Sequence, residues 1–145
     1  MGSIDPTRPQ FDAFKALPRE APVHMLNLVK VREVADYPAD HPLHGQGVSG
    51  REAYRNYGRD SGAVFQRVGG VQIWAGRPEV VLTGPLDEAW DIAFIALYPT
   101  AGAFLEMVTD PVYREAVKHR QAAVADSRLI RMAPLKAGAL FGEAD

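Results

Sequence analysis

Asn27 and Arg120 are polar side chains in otherwise apolar rows, and both suit the binding of a carbonyl group or an anion. In an extended segment Asn27 shares its face with Val23, Met25, Val29 and Val31. A buried amide must find a partner: it serves as a substrate-carbonyl or oxyanion donor, or it bonds backbone or another side chain. Arg120 falls in helical register with Tyr113, Val117 and Val124. A guanidinium there either grips a carboxylate or enolate through its fork, or runs its stem out to an exposed Asp or Glu. His119, one position earlier and at the edge of that stripe with Val112, Ala116 and Ala123, is the third candidate catalytic residue. To act as a general base it needs a neutral ring and a partner within reach. Tyr54, Tyr57, Tyr98, Tyr113, Trp74 and Trp90 can line a pocket or fill a core, and Asp91 is a base or a solvated strand end.

Other patterns lead to weaker chemistry. Asp36, Asp40, His41 and His44 share one long connection, but a coil does not hold ligand geometry, so no metal is expected. Residues 45–50 match G-x-G-x-x-G, yet the preceding strand ends fourteen residues earlier and the element order builds no doubly wound sheet. Trp90, Phe94 and Tyr98 alternate as stacking aromatics do on an RNA-binding sheet, but Leu86-Asp87-Glu88 stands where basic residues would be wanted. Sixteen Lys and Arg against eighteen Asp and Glu leave a formal charge of −2, which gathers neither nucleic acid nor an anionic membrane. The absence of cysteine removes disulfides, thiolate nucleophiles and Cys-based metal centres. No apolar run approaches a membrane span and the first residues lack a signal-peptide pattern, so a soluble, cytoplasmic protein is expected.

The elements that must position these residues follow from caps and periodicity. A short helix is expected over 9–17, with Phe11, Phe14 and Leu17 on one side, and a strand over 23–31. Residues 32–48 read as a long connection that is functional, mobile or an arm over a partner. Ser49-Gly50-Arg51-Glu52 is a capping box, and the stripe from Ala53 to Val68 continues its helix until Gly69-Gly70. A strand over 71–84 with a bulge or bend at Gly76 and Pro78 is followed by one over 90–98 that is apolar on both faces. A kinked helix, capped at Thr100 and restarted by Asp110-Pro111, runs to about Asp126. A last strand over 127–134 and a tail over 135–145 complete the chain.

This order is an α+β, ferredoxin-like split βαβ: an antiparallel sheet with both main helices on one face, plus the short N-terminal helix. The strands over 23–31 and 90–98 are apolar on both sides, so the second face calls for a second copy. One domain over 1–145 is expected, with its core at about 22–134.

Met25-Leu26-Asn27-Leu28, Tyr54 to Tyr57, Val68-Gly69-Gly70, Trp90-Asp91, Tyr98-Pro99, Phe104, Met107, Asp110-Pro111-Val112-Tyr113, Arg120 and Ala125 to Ile130 together resemble domain-of-unknown-function family 1330. That family belongs to the dimeric α/β-barrel superfamily. The resemblance spans roughly 22–134 and implies a paired-sheet homodimer with a cavity between sheet and helices in each subunit. The implied substrate-binding set is Asn27, Tyr54, Tyr57, Trp90, Tyr98, Met107, Tyr113 and Arg120. The expected ligand is a small carbonyl-bearing or anionic molecule, with no cofactor. Cofactor-free isomerases and monooxygenases of the wider superfamily suggest a reaction by analogy, and a non-catalytic binding or interaction module is the alternative.

Overall fold

The computed structural model describes residues 2–138 and 140–142. Its elements are α1 (Arg8–Ala16), β1 (Val23–Val31), α2 (Gly50–Arg67), β2 (Val71–Gly76), β3 (Ile92–Tyr98), α3 (Ala101–Thr109), α4 (Pro111–Ala123) and β4 (Val124–Met132). The four strands form one sheet in the order β2-β3-β1-β4, with every neighbouring pair antiparallel, which is the ferredoxin-like arrangement. Side chains therefore alternate between two faces. Val23, Met25, Ala96 and Tyr98 point toward the helices and join Val64, Phe104, Leu105, Met107 and Tyr113 in the main core. No helix among the described residues is long and apolar enough to cross a membrane.

The opposite face carries no helix. A continuous cross-strand row of Ile130, Leu26, Ile95 and Trp74 crosses it, as the strand register pairs them in turn. Val71, Trp74 and Ile130 are about half exposed. From β2 the chain runs into a connection on which Val80, Leu82 and Leu86 are almost wholly exposed.

Several boundaries depart from the sequence reading, each for a local reason. β2 ends at Gly76 and not at residue 84, and its bulge sits between Gln72 and Trp74. Pro78 lacks the N–H that a continued ladder would need. β3 starts at Ile92 and leaves Trp90 outside the strand. The Asp91 carboxylate takes the Val31 N–H at 2.9 Å, in place of a backbone acceptor. The expected kinked helix is two helices, because Asp110 is extended and caps α4 through the Val112 N–H at 2.8 Å. α4 stops at Ala123, where Val124 enters the ladder opposite Val31. Gly69, with φ of +89°, makes the turn after α2 that other residues would strain to adopt.

Segment 32–48 is neither free nor an arm: it packs on its own chain. Val34 bridges Ser49, and the N–H groups of Arg32 and Asp36 donate to the carbonyls of Ala123 and Ala122 at 2.7 and 2.8 Å. Tyr37, only 3% exposed, is the plug of a second core with Val29, Ala53 and Val124. Its hydroxyl lies 2.7 Å from His119 Nδ1, while His119 Nε2 lies 3.2 Å from the Asp60 carboxylate. His41 stacks on Tyr37 at 4.5 Å between ring centres, and His44 Nδ1 lies 2.8 Å from the Tyr37 carbonyl. Gly45 and Gly47 serve as positive-φ turn residues here, so the glycine pattern has a conformational explanation.

Tyr37→Ala is expected to cost about 3 kcal/mol in urea unfolding, and Tyr37→Phe, which loses only the hydrogen bond, about 1 kcal/mol. Similar small losses for both would show that the plug bears little load. His119 also has a pH signature. Burial holds its pKa below the ordinary 6.5, against the pull of Asp60 and with help from His41 and Arg59. The unfolded ring therefore takes its proton first, so this contribution to stability is complete above pH 6.5 and lost as pH falls through the native value. The loss of stability between about pH 7.5 and pH 5 should be shallower in His119→Gln than in the parent.

Candidate functional site

Between the helix face of the sheet, α2 and α4, the packing leaves a cavity of about 990 Å³. Small residues on α2 open it. Gly58, Ser61 and Gly62 line it, and a Cβ at either glycine would meet nothing within 4 Å. Phe94, Ala96, Phe104 and Met107 give it apolar walls, and α1 closes one side with Phe11 and Phe14. Residues 3–6 lie across the wall next to β4.

Most of the expected binding residues meet here: Asn27, Tyr54, Tyr57, Tyr98, Met107, Tyr113 and Arg120 all line the cavity. Trp90 does not. Its ring lies beneath the Arg128 guanidinium, 5.1 Å from the ring centre. His119 is also outside, engaged with Tyr37 and Asp60, because a one-residue step on α4 turns the side chain by about 100°. Asn27 holds its amide by donating from Nδ2 to the Met25 carbonyl at 3.1 Å, which leaves the amide oxygen as an acceptor in the cavity.

The tyrosines form a neutral, donor-bearing wall. Tyr57 and Tyr113 share a hydrogen bond of 2.9 Å, and Tyr98 donates to the Met107 sulfur at 3.7 Å. Burial raises the pKa of Tyr54, Tyr57, Tyr98 and Tyr113. At neutral pH these phenols are donors and not bases.

Arg120 is the electrostatic centre of the cavity. It is 9% exposed, and its two nitrogens Nη1 and Nη2 donate to the Ile4 carbonyl at 2.5 Å and to Ser127 Oγ at 3.2 Å. Among the described residues no carboxylate pairs with it. Among the described residues the only acidic side chain along the cavity is Asp5, which receives the Gln121 amide at 3.4 Å. Arg131 likewise gives its donors to backbone, reaching the carbonyls of Phe14 at 3.1 Å and Pro18 at 2.7 Å. Arg128, by contrast, is paired with Asp126 and Glu88. The cavity thus offers cationic and phenolic donors but few acceptors.

Ser127, Arg131 and residues 3–6 were not singled out by sequence reasoning. Ser127, Leu129 and Arg131 alternate on one face of β4, and that spacing was an available signal. The place of residues 3–6 had none, since it depends on partners more than 115 residues away. The loop histidines and aspartates do not converge, and among the described residues no group of three His, Asp or Glu is gathered to hold a metal.

Among curated proteins none matches the chain. A solved structure of a protein of unknown function from Rhodopseudomonas palustris, RPA0582, is 58% identical, covering 94% of this chain and 99% of its own with a TM-score of 0.86. The methylated form of RPA0582 aligns at 57% identity over 95% and 98% of the two chains, with a TM-score of 0.87. A dimeric, ferredoxin-like protein of unknown function from Bacteroides fragilis is 16% identical over 78% and 96%, with a TM-score of 0.46. The model of DUF1330, a domain of unknown function, matches residues 46–133, from the turn before α2 to just beyond β4, and the chain belongs to that family.

Proposed function

We propose that this protein binds a small, partly apolar organic molecule bearing a carbonyl or anionic group, in the cavity between sheet and helices. The observation that carries this reading is the buried Arg120 guanidinium, which lines an aromatic cavity and whose own hydrogen-bond acceptors, the Ile4 carbonyl and Ser127 Oγ, are both neutral. Burying a cation without a counter-charge costs several kcal/mol, and a ligand anion relieves that cost. The same donors would also stabilise an enolate or oxyanion, the kind of charge a cofactor-free isomerisation develops. A proton-abstracting group is the weaker part of an enzymatic reading, because the phenols stay protonated and His119 lies outside. Binding is therefore the better-supported half of the proposal.

The bare sheet face fits a homodimer. The accessible surface is 9580 Å². A compact monomer of 15.9 kDa would show about 7,300 Å². Part of the roughly 2,000 Å² excess belongs to exposed residues after β4 such as Leu135, Leu140 and Phe141, and the rest is of the size that a permanent dimer hides in each subunit. The row Ile130, Leu26, Ile95 and Trp74 supplies a self-complementary surface for a two-fold axis.

Two measurements check these readings. Gly62→Leu sends a side chain into the cavity from a helical position where a Cβ meets nothing. It should hold or raise stability without ligand, by up to about 1 kcal/mol of helix propensity, while abolishing small-molecule adducts in native mass spectrometry. Equal adduct retention by parent and variant would remove the cavity from consideration. In light scattering the parent should have twice the 15.9 kDa chain mass at micromolar concentration, and Ile95→Glu should halve it. A monomeric parent contradicts the dimer.

A further inference from the structure

The partners of Arg120 narrow the ligand class. Ser127 Oγ, which accepts from Arg120 Nη2, itself donates to the Ser3 carbonyl at 2.7 Å, while Arg120 Nη1 takes the next carbonyl, that of Ile4. Two consecutive backbone oxygens thus sit side by side on a guanidinium and hydroxyl donor pair. That is the demand a carboxylate satisfies with its own two oxygens, and with a full negative charge in place of two partial ones.

Residues 3–6 are held mainly by hydrogen bonds, and the preceding Gly2 lies close against the Ala125 backbone. Ser3, Asp5 and Pro6 are exposed, and only Ile4 packs against a core. Besides the two carbonyl bonds, the segment is fixed by the Ser3 N–H on the Asp126 carboxylate at 2.9 Å and by the Gln121 contact to Asp5. Thr7 then caps α1 by receiving the Gln10 N–H. Beyond that cap the chain is anchored differently: Phe11 and Phe14 pack on the main core, and Arg131 lies over the Phe14 ring at 4.9 Å. The segment before Thr7 can therefore lift while α1 stays seated.

Resting on the cavity reading above, we propose that the Ser3 and Ile4 carbonyls stand in for a carboxylate, and that the site takes an apolar monocarboxylate whose entry displaces residues 3–6 from Arg120 and Ser127. The class is a monocarboxylate because Arg120 and Ser127 offer one pair of donors to one pair of oxygens, while Arg131, which also meets no carboxylate, is held by the Phe14 and Pro18 carbonyls. The phenolic pair of Tyr57 and Tyr113 leaves one hydroxyl hydrogen free for a carbonyl or hydroxyl elsewhere on the ligand.

The test compares phenylpropanoate with its neutral isostere phenylpropanamide, by titration followed through amide resonances of labelled protein. The carboxylate should bind the parent about tenfold more tightly than the amide, and Arg120→Met should erase that difference. During the carboxylate titration the Ile4 and Asp5 resonances should move toward their positions in Ser3→Pro, which lacks the N–H held by Asp126. Ser3→Pro should also strengthen carboxylate binding several-fold and leave the amide unchanged. Equal affinity of the two compounds for the parent, or carboxylate binding with Ile4 and Asp5 unmoved, overturns the displacement proposal while leaving the cavity reading intact. If neither compound perturbs Gly62 or Ala96, both readings fall together. The parent-only comparison needs no variant, so a poorly folding Arg120→Met does not spare the proposal.

Discussion

Two strands that are apolar on both faces set the terms for everything else in this molecule. β1 and β3 sit side by side at the centre of the sheet, so their rows cannot be left to water on either side. α2, α3 and α4 cover one row and the edge strands flank it. Coverage by helices is incomplete because α2 turns Gly58, Ser61 and Gly62 toward the sheet where large side chains would close the gap. The cavity is therefore a consequence of small residues on a helix whose ends are well fixed, by the Ser49 cap at one and by the Gly69 turn at the other. Stable walls and a missing filling are what a binding site requires.

The polar groups inside follow a consistent electrostatic pattern. Desolvation keeps four phenols protonated, Asn27 spends an N–H on its own strand, and Arg120 finds carbonyls in place of a carboxylate. The four phenols and Arg120 make the cavity rich in donors, and the Asn27 amide oxygen is one of its few acceptors. A core selected only for stability would replace an unpaired buried guanidinium with an apolar side chain of similar volume, which is often neutral or favourable. Retaining it makes sense when a charged visitor supplies the missing half of the pair. The same logic separates Arg120 from Arg128, whose two carboxylate neighbours already satisfy it on the surface.

How much of this could be read from the chain depended on how local the deciding interaction was. The Ser49 and Asp110 caps, the run from Val23 to Val31 and the Gly69-Gly70 turn act within a few residues, and the corresponding elements lie where their patterns put them. Asn27 and Arg120 stood out because a polar residue broke a period, a signal that survives without knowledge of partners. Trp90 was misplaced by one side chain: Asp91 satisfies Val31 and ends the ladder before the ring can join it. Segment 32–48 looked loose because its composition is polar and rich in Gly and Pro. Its order comes from Tyr37 meeting His119, 82 positions away, and no local pattern encodes that meeting.

The residues outside the family match give this chain its particular site. Five consecutive positions at the end of α4 are each engaged by the first 45 residues: His119 by Tyr37, Arg120 by Ile4, Gln121 by Asp5, and the carbonyls of Ala122 and Ala123 by the N–H groups of Asp36 and Arg32. A helix C-terminus leaves its last carbonyls without intrahelical partners, so the bonds from Arg32 and Asp36 meet a need that any chain with this helix must meet in some way. A different part of the same N-terminal extension, residues 3–6, lies along the cavity, and Ile4 occupies its cation. The part matched by the family model supplies Tyr54, Tyr57, Tyr98, Met107, Tyr113 and Arg120 to the cavity, and the preceding residues supply Phe11, Phe14, Met25 and Asn27. RPA0582 aligns over 94% of this chain, which requires that it span most of this extension as well. Selectivity within the family is therefore expected to track the N-terminal segment more closely than the sheet, because the sheet is constrained by its own burial and the segment is not.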